Sequence, residues 1–189
     1  MNGTVADIGD GKNANYLKFV PRQEGTMILT IDEVSNSTRI DLETDRLPFD
    51  NNSMDITLML NLLEHIFNHR YVLSEARRIT KANGKLIGYV PFLVRYHPHP
   101  HDYFRYTKEA LTKLLEETGW EEIEVRECGS GPFYVFFQTF MLFMPKIIRL
   151  IIWPFIYALN SLYLKLRPHA YDRYPLGYIF CAKVAETGE

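Results

Sequence analysis

Between Met54 and Leu60 the chain reads Met-Asp-Ile-Thr-Leu-Met-Leu, an apolar run entered from the polar turn Asp50-Asn51-Asn52-Ser53 and left through Asn61-Leu62-Leu63-Glu64-His65. A run of this length between turn signals reads as a strand. Its carboxyl end collects Asn61, a carboxylate and an imidazole. In open parallel α/β sheets that edge is where ligands bind, because the loops there surround a crevice and helix N-termini point their free N–H groups into it.

The remainder of the chain supplies the other layers. Thr4 to Ile8 is a short strand running into Gly9-Asp10-Gly11, and Lys12 to Val20 can form a helix before Pro21 stops it. Met27 to Ile31 is a second strand, closed by Asp32 and Glu33, and Arg39 to Leu42 a brief third. Met54 to Leu60 is then the fourth. Arg70 to Thr80 repeats Val72, Leu73, Ala76 and Ile79 at helical spacing, and Asn83-Gly84 turns the chain into the strand Lys85 to Val90. Thr107 is a helix N-cap ahead of Leu111, Leu114 and Leu115, with Gly119 as the stop; Glu121 to Arg126 alternates like an edge strand, and Tyr178 to Val184 is the last strand. Alternating strands and helices imply an α/β fold, a doubly wound, Rossmann-like, mainly parallel sheet.

With 189 residues the chain is one domain. Its 21 Lys and Arg against 23 Asp and Glu give a net charge of -2, which provides no bulk attraction for nucleic acid. Cys128 and Cys181 stand far apart with no CxxC spacing, as expected of reduced thiols in a cytoplasmic protein, and Met1 to Asp7 has neither the basic region nor the apolar run of a secretory signal.

One segment exceeds what such a sheet needs. From Gly131 to Pro168 the chain is dominated by Phe, Ile, Leu, Tyr and Trp, with Lys146, Arg149, Lys165 and Arg167 as its charges. Its uncharged runs are no longer than the limit for a membrane-spanning helix and contain or meet prolines, so helices lying flat on a membrane surface, or packed against the domain or a second copy through 133–166, are expected ahead of a span.

Two chemistries fit the glycine turn. Gly9, Gly11 and Ala14 match the G-x-G-x-x-A dinucleotide pattern, and Asp32 falls about 20 residues on, where a carboxylate accepts both hydrogens of a ribose diol; Glu33 could do the same. A nicotinamide oxidoreductase therefore stays open. No metal site is expected. His97, His99 and His101 alternate in an extended, proline-interleaved segment that turns successive side chains apart, without a CxxC or acidic cluster to join them.

Three ordered motifs carry a family resemblance. Asp7-Ile8-Gly9-Asp10-Gly11, then Leu47-Pro48-Phe49 leading by Asp55 into Leu63-Glu64-His65, then Pro91-Phe92 followed by Asp102-Tyr103-Phe104-Arg105-Tyr106-Thr107 as D-Y-x-R-x-T, resemble the small-molecule type of class I S-adenosylmethionine (SAM)-dependent methyltransferases. The first motif departs from the family in having Asn13 at the place of its third glycine. The resemblance implies SAM as cofactor, held by Asp7, Gly9, Gly11, Asp32 or Glu33, Asp41, Leu42 and Asn61. It also implies an antiparallel last strand and a helix ahead of the first strand, whereas this chain begins almost at the strand. His65 and His101 are candidate bases. His101, Asp102, Tyr103 and Arg105 form either a substrate lid or a structural knot in their loop. The implied reaction is methyl transfer to an oxygen or nitrogen of a small-molecule, sugar or lipid-linked acceptor, and the alternative is a non-catalytic binding or scaffolding relative.

Overall fold

The computed structural model describes residues 3–9, 16, 21, 23–31, 40–98 and 100–184. Six strands, β1 (Thr4–Asp7), β2 (Met27–Thr30), β3 (Met54–Leu60), β4 (Thr80–Pro91), β5 (Glu121–Cys128) and β6 (Gly177–Lys183), form one sheet in the order β2-β1-β3-β4-β6-β5. β1 pairs in parallel with β2 and β3, and β3 with β4. β6 is antiparallel to both β4 and β5, leaving β5 on an edge. The doubly wound fold and antiparallel last strand are therefore as expected.

Two expectations are corrected. Ile40 to Leu42 is loop and turn, not a brief third strand, and Arg39 lies outside the described residues. The strand placed at Lys85–Val90 starts instead at Thr80, because Asn83-Gly84 is a bulge inside it: Met54 faces Thr80 but Ile56 already faces Lys85. Asn83 takes a φ of 60° there, its N–H donates to Val184 O, and Val184 N–H donates back to Gly84 O, so β6 closes over the irregularity. Of the expected helix at Lys12–Val20 only Tyr16 is among the described residues.

Helix α1 (His69–Ile79) buries Val72, Leu73, Ala76 and Ile79, the stripe its spacing predicts. α2 (Lys108–Glu117) begins where Thr107 Oγ1 accepts the Ala110 N–H, buries Leu111, Leu114 and Leu115, and is followed by Gly119 at φ +81°. In the sheet, Gly88 is required by packing: a Cβ there would meet Phe180, a fully buried ring, at 2.1 Å.

The Leu47-Pro48-Phe49 motif is a structural anchor. Leu47 and Phe49 are buried in the main core, and the loop is fastened to α1 by two side chains. Glu75 accepts the Leu47 N–H at 2.8 Å, while Arg78 pairs with Glu75 and donates to the carbonyls of Leu47 and Phe49. Burial raises the Glu75 carboxyl, but the Arg78 and Leu47 hydrogen bonds outweigh it and hold the group below its usual value. Its contribution to stability is therefore complete above the unfolded carboxylate range and is lost as pH falls below that range through the group's lowered folded value. Arg78→Ala is expected to cost about 2 kcal/mol, less than a fully buried pair because both groups touch solvent. Urea unfolding at pH 7 and pH 4 checks this, and the gap between wild type and variant should narrow at the lower pH.

The apolar segment is a helical hairpin. α3 (Pro132–Phe140), a 3-10 turn (Met141–Phe143) and α4 (Lys146–Leu166) lead to the short α5 (Ala170–Arg173). Phe133 packs on Tyr163 and Phe137 on Trp153, so α3 and α4 run antiparallel. Asn160, buried in α4, donates to Ser130 O at 3.1 Å and ties the hairpin to the sheet's exit.

Candidate active site

The chain crosses from β2 over β1 to reach β3, which makes the β1/β3 boundary the topological switch point of the sheet. A cleft of about 780 Å3 lies there. It is walled by Gly9 after β1, Leu60, Asn61 and His65 after β3, the 40–43 loop, and Pro100, His101 and Tyr103 from the loop after β4.

Each wall has a local cause. Asp7 is fully buried, and its carboxylate accepts the Gly9 N–H at 3.1 Å and the Tyr16 hydroxyl, so it shapes the turn. A Cβ on Gly9 would come within 3.2 Å of Leu60 O, so glycine lets the two strand ends approach and keeps the cleft open. Asn61 sits at φ 50°, a left-handed conformation asparagine tolerates, with its N–H donating to Tyr89 O. In the adjoining loop Asp41 accepts the Glu43 N–H and Leu42 packs against the core. Glu43 accepts the Phe67 N–H, and its carbonyl accepts Asn68 Nδ2, which ties the loop to the start of α1.

Of the residues expected to hold a cofactor, Gly9, Asp41, Leu42 and Asn61 line this cleft and Asp7 supports it from beneath. Gly11, Asp32 and Glu33 lie outside the described residues. Tyr16, which the sequence does not mark because a lone tyrosine carries no spacing signal, and Glu43, which belongs to the same Asp41-Leu42-Glu43 segment, also line the cleft.

The expected lid residues divide. His101 and Tyr103 stack on each other at the cleft wall. Asp102 and Arg105 are not among the residues that line it. Asp102, its side chain wholly buried, takes both guanidinium nitrogens of Arg105, one at 2.7 Å, and also the His97 N–H at 2.9 Å. The Arg105 hydrogen bond, opposed by burial, holds the Asp102 carboxyl well below the usual carboxylate range. Arg105 also donates to the carbonyls of Phe104 and Arg95, and its Nη2 lies 3.4 Å from His97 Nδ1. These bonds tie the loop to itself.

Behind the cleft wall lies the carboxylate that the sequence places at the exit of β3. Glu64 is fully buried; its carbonyl accepts the Tyr103 N–H, and neither carboxylate oxygen has a hydrogen-bond partner among the described residues. Burial pushes its carboxyl up to about 7, partly countered by its own backbone, His97 and Arg105. His65 packs edge-on against His97, and both present Nε2 to Glu64. The sequence displayed this glutamate at a strand's end, but only the folded loop closes over it.

A parallel sheet with a strand-end cleft at its switch point defines a Rossmann-like cofactor domain. The family described as "Methyltransferase domain" matches residues 8–88, from the end of β1 to the middle of β4. Over that segment the chain is similar to the methyltransferase family, and its sheet has the mixed Rossmann-like order of methyltransferase folds. An uncharacterized protein of Methanocaldococcus jannaschii is 51% identical over 41 residues, 22% of this chain and 18% of its own. Similar solved structures include a SAM-dependent methyltransferase from Archaeoglobus fulgidus (TM-score 0.59, 16% identity, 96% of this chain and 86% of that one). Phosphoethanolamine N-methyltransferase 2 of Haemonchus contortus, in complex with SAM, gives TM-score 0.58 at 15% identity, covering 98% of this chain and 49% of that one. The [4+2]-cyclase SpnF gives TM-score 0.58 at 18% identity over 98% of this chain and 77% of its own. At these identities the likeness is one of fold. This chain spans about half the length of the Haemonchus enzyme and less than a fifth of the archaeal protein.

Proposed function

We propose that this protein binds SAM in the β1/β3 cleft and transfers its methyl group to an oxygen or nitrogen of a small-molecule, sugar or lipid-linked acceptor. The observation that carries the reading is the cleft at the switch point, walled by Gly9, Asp41 and Asn61 within the family match. SAM supplies a methyl on a sulfonium, which an acceptor lone pair displaces while the C–S electron pair returns to sulfur. The chain's part is to hold the two reactants in line and to take one proton. Gly9 leaves room for the cofactor against the strand ends. Asp41 offers a carboxylate to its polar hydrogens. His101, exposed at the rim and stacked on Tyr103, takes the acceptor's proton.

Calorimetry with SAM, its demethylated product S-adenosylhomocysteine and NAD tests this. SAM or its product should bind with about micromolar affinity, roughly 8 kcal/mol. Gly9→Val should abolish the heat by filling the cleft, and Asp41→Ala should weaken binding about tenfold, as loss of one charged hydrogen bond does. No heat with either ligand would leave a non-catalytic relative, and preference for NAD would make the chain an oxidoreductase.

The α3–α4 hairpin supports a location at the cytoplasmic face of a membrane, with the acceptor drawn from or near the lipid. α4 has 21 residues and contains an apolar, little-buried stretch, long and apolar enough to cross a membrane. Its antiparallel packing on α3 and the Asn160–Ser130 bond favour a helix lying on the surface. From Cys128 to Tyr171 there is no Asp or Glu, while Lys146, Arg149, Lys165 and Arg167 flank the apolar stretch. An anionic lipid surface matches that charge; a second copy would bring like charges together.

A further inference from the structure

We propose that Glu64, His65 and His97 form a site for a divalent first-row metal ion of the zinc class. Glu64 Oε1 lies 3.7 Å from His65 Nε2 and 3.8 Å from His97 Nε2. One ligand atom from each residue falls within 4.8 Å of the other two. Ligands held tetrahedrally about 2.0–2.1 Å from zinc sit roughly 3.4 Å apart. Small side-chain adjustments therefore bring all three atoms onto one ion, and His97, a quarter exposed on a loop, has room to make them.

The hydrogen-bond pattern carries the inference. His65 Nδ1 pairs with the carbonyl of His101, and His97 Nδ1 with the carbonyl of Arg95 at 2.9 Å. A carbonyl only accepts, so the hydrogen belongs on each Nδ1; at His97 the carbonyl is the shorter contact, and Arg105 Nη2 stands off at 3.4 Å. In that tautomer each ring directs an Nε2 lone pair towards Glu64. Proteins orient metal-binding histidines in this way, the far nitrogen donating to a carbonyl or carboxylate while the near one serves as ligand. Asp102, held by Arg105 and 3.4 Å from His97 Nδ1, adds a carboxylate behind that ring. Two lone pairs and a fully buried carboxylate thus converge where none of the described residues donates a hydrogen bond to that carboxylate. A cation resolves the arrangement. Two imidazoles with one carboxylate suit zinc and its neighbours in the series, whereas calcium and magnesium take oxygen ligands. Three protein ligands leave a fourth position for water or an acceptor oxygen, and His65 is also part of the cleft wall. The proposal departs from the expectation of no metal, because His97 has an acidic neighbour on the β3 exit.

The inference rests on this cluster's geometry and is separable from methyl transfer, because its test needs neither cofactor nor acceptor. Untagged protein stripped with chelator is titrated with Zn2+ by calorimetry and with Co2+ by visible absorption. The expected result is one equivalent bound with micromolar or tighter affinity, and a Co2+ spectrum of low-symmetry nitrogen–oxygen coordination. Glu64→Gln and His97→Gln should each weaken Zn2+ binding by at least about thirtyfold, since even outer partners of metal ligands are worth 10- to 100-fold. His169→Gln, at an exposed position remote in sequence, should bind like wild type. If Glu64→Gln does not fold, His97→Gln decides alone. Absence of binding to the stripped wild type at about 100 μM Zn2+, or wild-type affinity in His97→Gln, overturns the proposal and leaves a carboxyl that shares a proton with its imidazoles.

Discussion

Replacing Ile151, Phe155 and Leu162 with serine is expected to abolish sedimentation of the protein with phosphatidylserine-containing vesicles while leaving its Tm within about 2 °C of wild type. The three residues fall on one face of α4 and are 62%, 71% and 56% exposed, so no folded-state contact of consequence is lost. Each large apolar side chain withdrawn from water contributes about 1.5–3 kcal/mol, so removing three should weaken membrane partitioning by two orders of magnitude or more. Binding should also fall with salt, through Lys146, Arg149, Lys165 and Arg167. A wild-type protein that ignores vesicles and sediments as a dimer, which the serines dissociate, would assign the face to a second copy. A variant that unfolds would make it core.

Arg105→Ala is expected to cost about 3–5 kcal/mol of stability and on the order of 10 °C in Tm, because it leaves the buried Asp102 carboxylate without its bidentate partner. Arg105→Lys should recover part of this, since lysine keeps the charge and loses the planar fork. The double variant Asp102→Asn/Arg105→Gln should lose less than the sum of the two single changes, as members of one network do. Thermal unfolding of the four proteins measures these differences. A variant with wild-type Tm and impaired turnover would move Arg105 from the loop's anchor to the acceptor.

Several features were legible in the chain because they depend on local chemistry. The apolar spacing in α1 announces its buried stripe, Thr107 announces a helix start, and Gly119 its end. The Asn83-Gly84 bulge was misread as a turn for a physical reason: both residue types favour turns, and only pairing with the β6 end at Val184 keeps the strand going. Ile40 to Leu42 likewise has strand-forming residues but no neighbouring strand among the described residues to pair with.

The site shows the same division. The order of motifs along the chain, each an acidic or polar residue at a strand's exit, determined the doubly wound sheet and the edge where ligands bind, since a parallel sheet puts its strand ends together. The tertiary structure alone decided what those residues do. Burial sent Asp102 and Arg105 into each other rather than the cleft, because a carboxylate closed off from water takes the nearest fork of donors. It also brought His97 across to Glu64, a contact between a loop after β4 and the exit of β3 that no spacing rule encodes. The apolar excess of 131–168 was plain in composition. That it faces outward as an antiparallel hairpin, with its own partner on one side and nothing among the described residues on the other, was settled by packing: α3 and α4 share one seam, and the domain core is already filled by the sheet and its helices.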